Sequence, residues 1–357
     1  MNKQKFVMDK KNRFWETFNP KTGMYVRSGI YDENGKDTGI DPFQRQMPNL
    51  IDVGIMGFCE HGTSGLCVKS GVQCYQDGLN IKNKNMSLED FKTIVEQSKH
   101  FVFQIALGGR GDPNKHENFK EILEVCRENG IVPNYTTSGF NLTDEEIELT
   151  KKFTGAVATS WYRNKYTIEA INRFISAGCK TNIHYVLSKH SIDEAIERLE
   201  NKTFPKGINA VIFLLHKPVG LGSRGLMLDF DNEKLREFVK LVDENTHPHK
   251  IGFDSCTVPA LLNLAKNISN ESMDTCEAAR WSCYIDSDMN MVPCSFDQKK
   301  RWSVSLREKT IKEIWNSEEF DDFRNVFHNS CPDCPSKQDC QGGCPVTPEI
   351  VLCDNKH

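Results

Sequence analysis

Fourteen cysteines, grouped rather than dispersed, restrict this 357-residue chain more than any other feature. Cys59, Cys67 and Cys74 lie early with a C-x7-C-x6-C spacing; Cys276, Cys283, Cys294, Cys331, Cys334, Cys340, Cys344 and Cys353 crowd the tail; Cys126, Cys179 and Cys256 stand apart. The start, Met1-Asn-Lys-Gln-Lys-Phe leading to Asp9, Lys10 and Lys11, has no apolar stretch of the kind a secretory signal needs. A cytoplasmic location without a lipid anchor is therefore expected. Disulfides are rare in that compartment, and dense thiols there point to metal or redox chemistry. Two separate metal regions follow, one early and one in the tail.

Composition narrows the function classes. A 38% hydrophobic and 26% charged chain is ordinary globular material, and its longest apolar run, Ala210 to Leu215, is far too short to span a bilayer. Forty-five Lys plus Arg against 49 Asp plus Glu leave a net charge of −4, which disfavours a phosphate-backbone binder, so nucleic acid is not an expected partner. The Lys299-Lys300-Arg301 run is short and reads as a solvated face.

Residues 1–50 carry turn signals at Asn19-Pro20-Lys21-Thr22-Gly23 and Asp32-Glu33-Asn34-Gly35, which predict an extension built of hairpins. From residue 52 the pattern changes to apolar stretches alternating with amphipathic helical ones. Strands are predicted at 52–58, 101–107, 131–137, 155–161, 180–187 and 208–215. Ser87 with Asp90, Thr143 with Glu146, and Ser191 with Glu194 predict helix N-caps between them. Six strand-helix units of this kind predict an α/β fold, a partial (β/α)6 TIM-like barrel with its ligands at the strands' C-terminal ends. A further strand at 249–254 and a helix at 257–267 lead into an irregular cysteine-rich domain with helical patterns near 308–316 and 318–327. The expected division is 1–50, 51–255 for the barrel, 256–271 as a bridge, and 272–357 for the cysteine domain.

The three early cysteines follow the first strand directly, and glycines at 57, 62, 65 and 71 allow a tight loop. Three thiolates without an evident fourth suit a four-iron cluster with one iron left open, whereas a structural zinc site is closed. The second strand runs into Gly108-Gly109-Arg110-Gly111-Asp112-Pro113, the third into Thr136-Thr137-Ser138-Gly139, and the fourth ends in Ala158-Thr159-Ser160. Asn182 and His184 on the fifth strand, with His216 and Lys217 after the sixth, are further candidates to face a bound molecule.

A three-cysteine loop after the first strand of a partial barrel, its last Cys followed by Tyr75, resembles the radical S-adenosylmethionine (SAM) superfamily. The family's usual loop is C-x3-C-x2-C, four residues shorter in each gap. The Gly108-Gly109 loop resembles the family's Gly-Gly-Glu-Pro, with Asp112 or Arg110 in place of Glu. The resemblance implies that Gly108, Gly109, Asp112, Ser138, Ser160 and Asn182 hold the cofactor, and that Cys59, Cys67 and Cys74 hold the catalytic [4Fe-4S] cluster.

The tail, Cys276-x6-Cys283-x10-Cys294, then Cys331-x2-Cys334-x5-Cys340-x3-Cys344 and Cys353, resembles the SPASM domain, with Met289 where that family usually has Gly. The resemblance implies two auxiliary [4Fe-4S] clusters, one on Cys276, Cys283, Cys294 and Cys344, the other on Cys331, Cys334, Cys340 and Cys353. Two zinc-ribbon sites are the alternative, and they leave the early loop unexplained. Cys126 and Cys179 read as small core residues. Cys256, in Gly252-Phe-Asp-Ser-Cys256, is a candidate hydrogen-atom donor, a role some family epimerases give a non-ligand Cys.

The implied activity is reductive cleavage of SAM to a 5′-deoxyadenosyl radical, which abstracts hydrogen from a substrate. The SPASM resemblance implies a ribosomally made peptide that gains a thioether bond, a carbon-carbon crosslink or an inverted α-carbon. An external flavodoxin- or ferredoxin-type electron donor and a separate leader-binding protein are the implied partners, since residues 1–50 are too short for a winged-helix leader-binding domain. The alternatives are a small-molecule substrate, a folded protein as in sulfatase maturation, or a non-catalytic zinc or iron-sulfur binding module. Ser295 follows Cys294 where sulfatase-maturing relatives have Asp, which weakens the sulfatase reading.

Overall fold

A computed structural model describes residues 4–62, 65–244 and 247–354. The chain opens with an antiparallel meander, β1 (Lys5–Asp9), β2 (Phe14–Phe18) and β3 (Tyr25–Arg27). Both expected turns form: Gly23 N donates to Asn19 O at 2.8 Å, and Gly35 N donates to Asp32 O at 3.1 Å. Seven parallel strands follow: β4 (Leu50–Val53), β5 (Gln104–Leu107), β6 (Val132–Thr137), β7 (Val157–Ser160), β8 (Thr181–Leu187), β9 (Ala210–Leu215) and β10 (Lys250–Phe253). A short helix α1 (Leu66–Lys69) sits in the loop after β4, and the crossovers are α2 (Leu88–Ser98), α3 (Phe119–Glu128), α4 (Asp144–Phe153), α5 (Lys165–Ser176), α6 (Ile192–Glu200) and α7 (Glu233–Asp243). The 249–254 segment thus joins the sheet as a seventh parallel strand, pairing Ile251 with Val211.

Strand alternation decides which side chains face the helices and which face the inner surface of the sheet. On β8, Ile183, Tyr185 and Leu187 are buried against helices, while Asn182 and His184 point the opposite way. On β4, Ile51 and Val53 enter the core and Asp52 faces inward. The helices return matching faces: α3 buries Phe119, Ile122, Leu123 and Cys126, spaced as one helical stripe. Each such side chain, fully buried, contributes about 1.5–3 kcal/mol. Cys126 lies in this core and Cys179 packs against it.

The first strand ends at Val53, five residues short of the expected limit: the β4–β5 pairing stops at Val53 with Leu107, and Gly54 N still donates to Ile285 O at 2.9 Å. Ile55 and Met56 are nonetheless buried, which is why the sequence reads as continuous strand. Ser87 accepts from Asp90 N, and Thr143 with Glu146 forms a full capping box. Ser191 does not cap its helix; its hydroxyl accepts from Ser188 N at 2.9 Å and donates to Val186 O at 2.7 Å, closing the β8–α6 turn instead.

The tail begins with α8 (Val258–Leu264) and then adds β11 (Ser282–Ile285), β12 (Asn290–Val292) and β13 (Val304–Ser305) to the same sheet, giving the order β10-β9-β8-β7-β6-β5-β4-β11-β12-β13. β11 runs parallel to β4 and sets Tyr284 opposite Asp52. Three helices complete it: α9 (Ile311–Trp315), α10 (Glu318–Asn329) and α11 (Lys337–Cys340). The N-terminal meander packs at the strands' N-terminal ends, where Phe18 stacks on Phe103 at 5.4 Å and Glu16 pairs with buried Arg45. The C-terminal ends stay clear of it. Among the described residues no helix is long and apolar enough to cross a membrane.

Candidate metal centres and cofactor bed

The loop after β4 brings its three thiols together despite their wide spacing. The extra residues are absorbed by a single 3-10 turn, Glu60–Gly62, and by α1, which carries Cys67. A Cβ built on Gly78 would lie 3.5 Å from Cys74 Sγ and 3.6 Å from Cys59 Sγ. Burial, then the charges of Asp112, Cys74 and Cys67, pushes the Cys59 thiol up to about 11, and Cys67 is raised by burial and by Cys74. Neighbouring loops brace the arrangement. Arg110 Nη1 donates to Gly57 O at 3.0 Å, Leu221 N to Cys74 O at 2.9 Å, and Arg163 Nη1 to Ser70 O at 2.8 Å.

Beside this loop, Gly109 has φ +93° and is packed so closely that a Cβ would meet Tyr284 Oη at 2.8 Å and Gly54 Cα at 3.3 Å. Only glycine satisfies both constraints. A Cβ on Gly108 would meet nothing within 4 Å, so the backbone there faces open space. Asp112 is engaged within the protein: Oδ1 accepts from Ser138 N at 2.8 Å, and Oδ2 accepts from Ser138 Oγ at 2.5 Å. His61 Nε2 lies 3.1 Å from Asp112 Oδ2 and 3.0 Å from Ser138 Oγ. All three side chains are buried, so this set locks together the loops after β4, β5 and β6. His61 carried no motif, and only the fold reveals it.

Ser160 ends β7 opposite His184, and Thr136 Oγ1 lies 3.3 Å from His184 Nδ1. Burial drives the His184 imidazole down to about 4, so it is neutral at physiological pH. Asn182 lies nearer the strands' N-terminal ends and accepts from Asn209 Nδ2 at 2.7 Å. Burial alone pushes the inward-facing Asp52 up to about 7. His216 lies 3.0 Å from Ser223 O through Nε2, while Lys217 turns inward to Asp254.

In the tail, burial and the thiols of Cys276 and Cys344 raise Cys294, and burial and Cys344 push Cys276 up to about 12. The fourth thiol beside them is Cys256, hydrogen-bonded to Cys344. Cys344 in turn is pulled below the ordinary thiol range by Cys256 and by Thr347, whose N and Oγ1 lie 3.3 and 3.2 Å from Sγ. Cys283 is placed elsewhere. Its side chain is 2% exposed within the helix-side core of β11, and among the described residues its charged neighbours are Asp52 and Arg324 rather than another thiol. The alternation of β11 accounts for this, since Tyr284 takes the inner face and Cys283 must take the outer one. Cys340 is raised by burial and by Cys353, Cys331 and Cys334, so these four thiols lie near one another.

A parallel sheet with three thiols and a glycine bed at its C-terminal end, extended by a tail with two further thiol groups, defines an α/β class of fold with clustered thiols. Residues 276–340 match the SPASM family, an iron-sulfur cluster-binding domain. The chain carries that domain on a fold that it shares with SuiB and anSMEcpe. Streptococcus suis SuiB bound to its precursor peptide SuiA is similar at 16% identity, covering 99% of each chain with a TM-score of 0.72. SuiB bound to S-adenosylmethionine is similar at 18% identity over 87% of this chain and 77% of that one, TM-score 0.65. anSMEcpe with bound AdoMet and Cp18Cys peptide is similar at 15% identity over 83% of this chain and 89% of that one, TM-score 0.58. No curated protein sequence matches.

Proposed function

We propose that this protein is a radical SAM enzyme that modifies a ribosomally made peptide by forming a thioether or carbon-carbon crosslink or by inverting an α-carbon. The observation that carries the reading is the convergence of Cys59, Cys67 and Cys74 at the C-terminal end of the sheet, next to the open backbone of Gly108 and the tightly packed Gly109. A three-thiolate [4Fe-4S] cluster and SAM would supply electron transfer to the sulfonium and hydrogen abstraction. Gly108 and Gly109 would receive the methionyl end of SAM. Asp112, Ser138 and His61 would act one step back, holding the loops in register. Ser160, His184 and Asn182 would line the inner wall toward substrate.

We assign one auxiliary cluster to Cys256, Cys276, Cys294 and Cys344 and the other to Cys331, Cys334, Cys340 and Cys353. This gives Cys256 a ligand's role in place of hydrogen donation and leaves Cys283 as a core residue. The peptide reading draws on SuiB with its precursor peptide and anSMEcpe with its Cp18Cys peptide. It also calls for an external flavodoxin- or ferredoxin-type donor, a separate leader-binding protein and a cytoplasmic setting. Replacing Cys59, Cys67 and Cys74 together by Ala tests the assignment: about a third of the iron and all 5′-deoxyadenosine formation should be lost. Unchanged iron and cofactor cleavage would contradict it.

A further inference from the structure

Lys217 carries a full charge into the wall between the end of β9 and the tail. Its side chain is 1% exposed, and Nζ donates to Asp254 Oδ2 at 2.6 Å and to Leu215 O at 3.1 Å. The ammonium also stands 4.2 Å from the centre of the Phe296 ring, two residues beyond Cys294. Removing an ammonium from water is costly unless its partners compensate. Here they do: burial acts to neutralise the group, but the Asp254 carboxylate, 2.6 Å away, holds it charged.

Asp254 stands two residues before Cys256 and Phe296 two residues after Cys294, so the ammonium joins the two chain segments that carry these thiols. A tether for the loop after β9 needs only a neutral donor. A fixed cation over a ring, anchored by a half-buried carboxylate beside the thiol-bearing segments, is a device for setting local potential.

We propose that Lys217, oriented by Asp254, is a positioning residue that raises the reduction potential of the auxiliary cluster held by Cys256, Cys276, Cys294 and Cys344. The inference rests on the cluster assignment proposed above. In the reduction the cluster gains one electron, all four thiolates remain bound and no proton is taken up. The added negative charge is stabilised by a cation fixed in a low-dielectric wall.

The test is a potentiometric titration of the reconstituted holoenzyme, with dithionite as reductant and the reduced cluster followed by electron paramagnetic resonance. Iron and sulfide are counted for each variant. Lys217→Met is expected to leave the iron content intact and to lower the ratio of reduced to oxidised cluster at least tenfold at the wild-type midpoint, a 59 mV negative shift for one electron. Lys217→Arg keeps the charge and should restore the midpoint. Should Lys217→Met fail to fold or to hold its clusters, Lys217→Gln carries the test, with the same negative shift expected. An unchanged midpoint in the fully loaded neutral variant, or Arg behaving as that variant, would each overturn the proposal. A wild-type protein that takes up no iron would overturn the proposed function itself, and this inference with it.

Discussion

Asp52 is an inward-facing carboxylate on the first parallel strand that burial raises to about 7, well above the ordinary aspartate value of 3.8. Its unfolded form ionises near pH 4 and its folded form only near pH 7, so the folded state binds the extra proton between them. The stability associated with that proton is therefore complete below about pH 4 and is lost as pH rises through 7. Asp52→Asn should remove this loss. Urea denaturation should find the Asn variant more stable by about 2–4 kcal/mol at pH 8, with the gain shrinking steadily toward pH 5. A gain independent of pH would contradict the burial argument. Asp112 accepts from Ser138 N and Oγ and lies 3.1 Å from His61 Nε2, contacts that join the loops after β4, β5 and β6.

At the scale of elements, local signals that resemble one another need not act alike. Thr143→Ala removes one half of a capping box at the start of α4 and should cost about 1 kcal/mol in urea denaturation, whereas Thr143→Ser should cost much less. A loss below a few tenths of a kcal/mol for the Ala variant would contradict the capping role. Ser191 looked equivalent in the sequence but serves the preceding turn, because its backbone is already helical and its hydroxyl is used up by Ser188 and Val186. The parallel strands were legible because buried β-branched runs carry their own signal, as were the glycine bed and the gathering of Cys59, Cys67 and Cys74. The exit of the chain from β4 at Gly54 was not, since Ile55 and Met56 are as apolar as a strand. Nor was the company Cys256 keeps: a long-range contact between a strand end and the tail leaves no mark in local spacing.

At the scale of the whole molecule, the tail is part of the sheet and not an appendage. β11 pairs with β4, while Cys256 follows β10 at the opposite end of the strand order and meets Cys344, whose other thiol neighbours are Cys276 and Cys294. A cluster on those four thiols, as proposed, would tie β10 to the tail, so its loss should loosen β10. Cys256→Ala should therefore lose about four irons per chain and speed amide exchange in β10, while Cys283→Ala should keep its iron. The reverse pattern would return Cys283 to the ligand set. The central claim, radical chemistry on SAM by a protein with three clusters, is tested most directly by anaerobic reconstitution, with iron and sulfide counted and 5′-deoxyadenosine assayed after addition of dithionite and SAM. About twelve irons per chain with 5′-deoxyadenosine formed is the result expected of three four-iron clusters; a colourless zinc protein that leaves SAM intact would contradict the account.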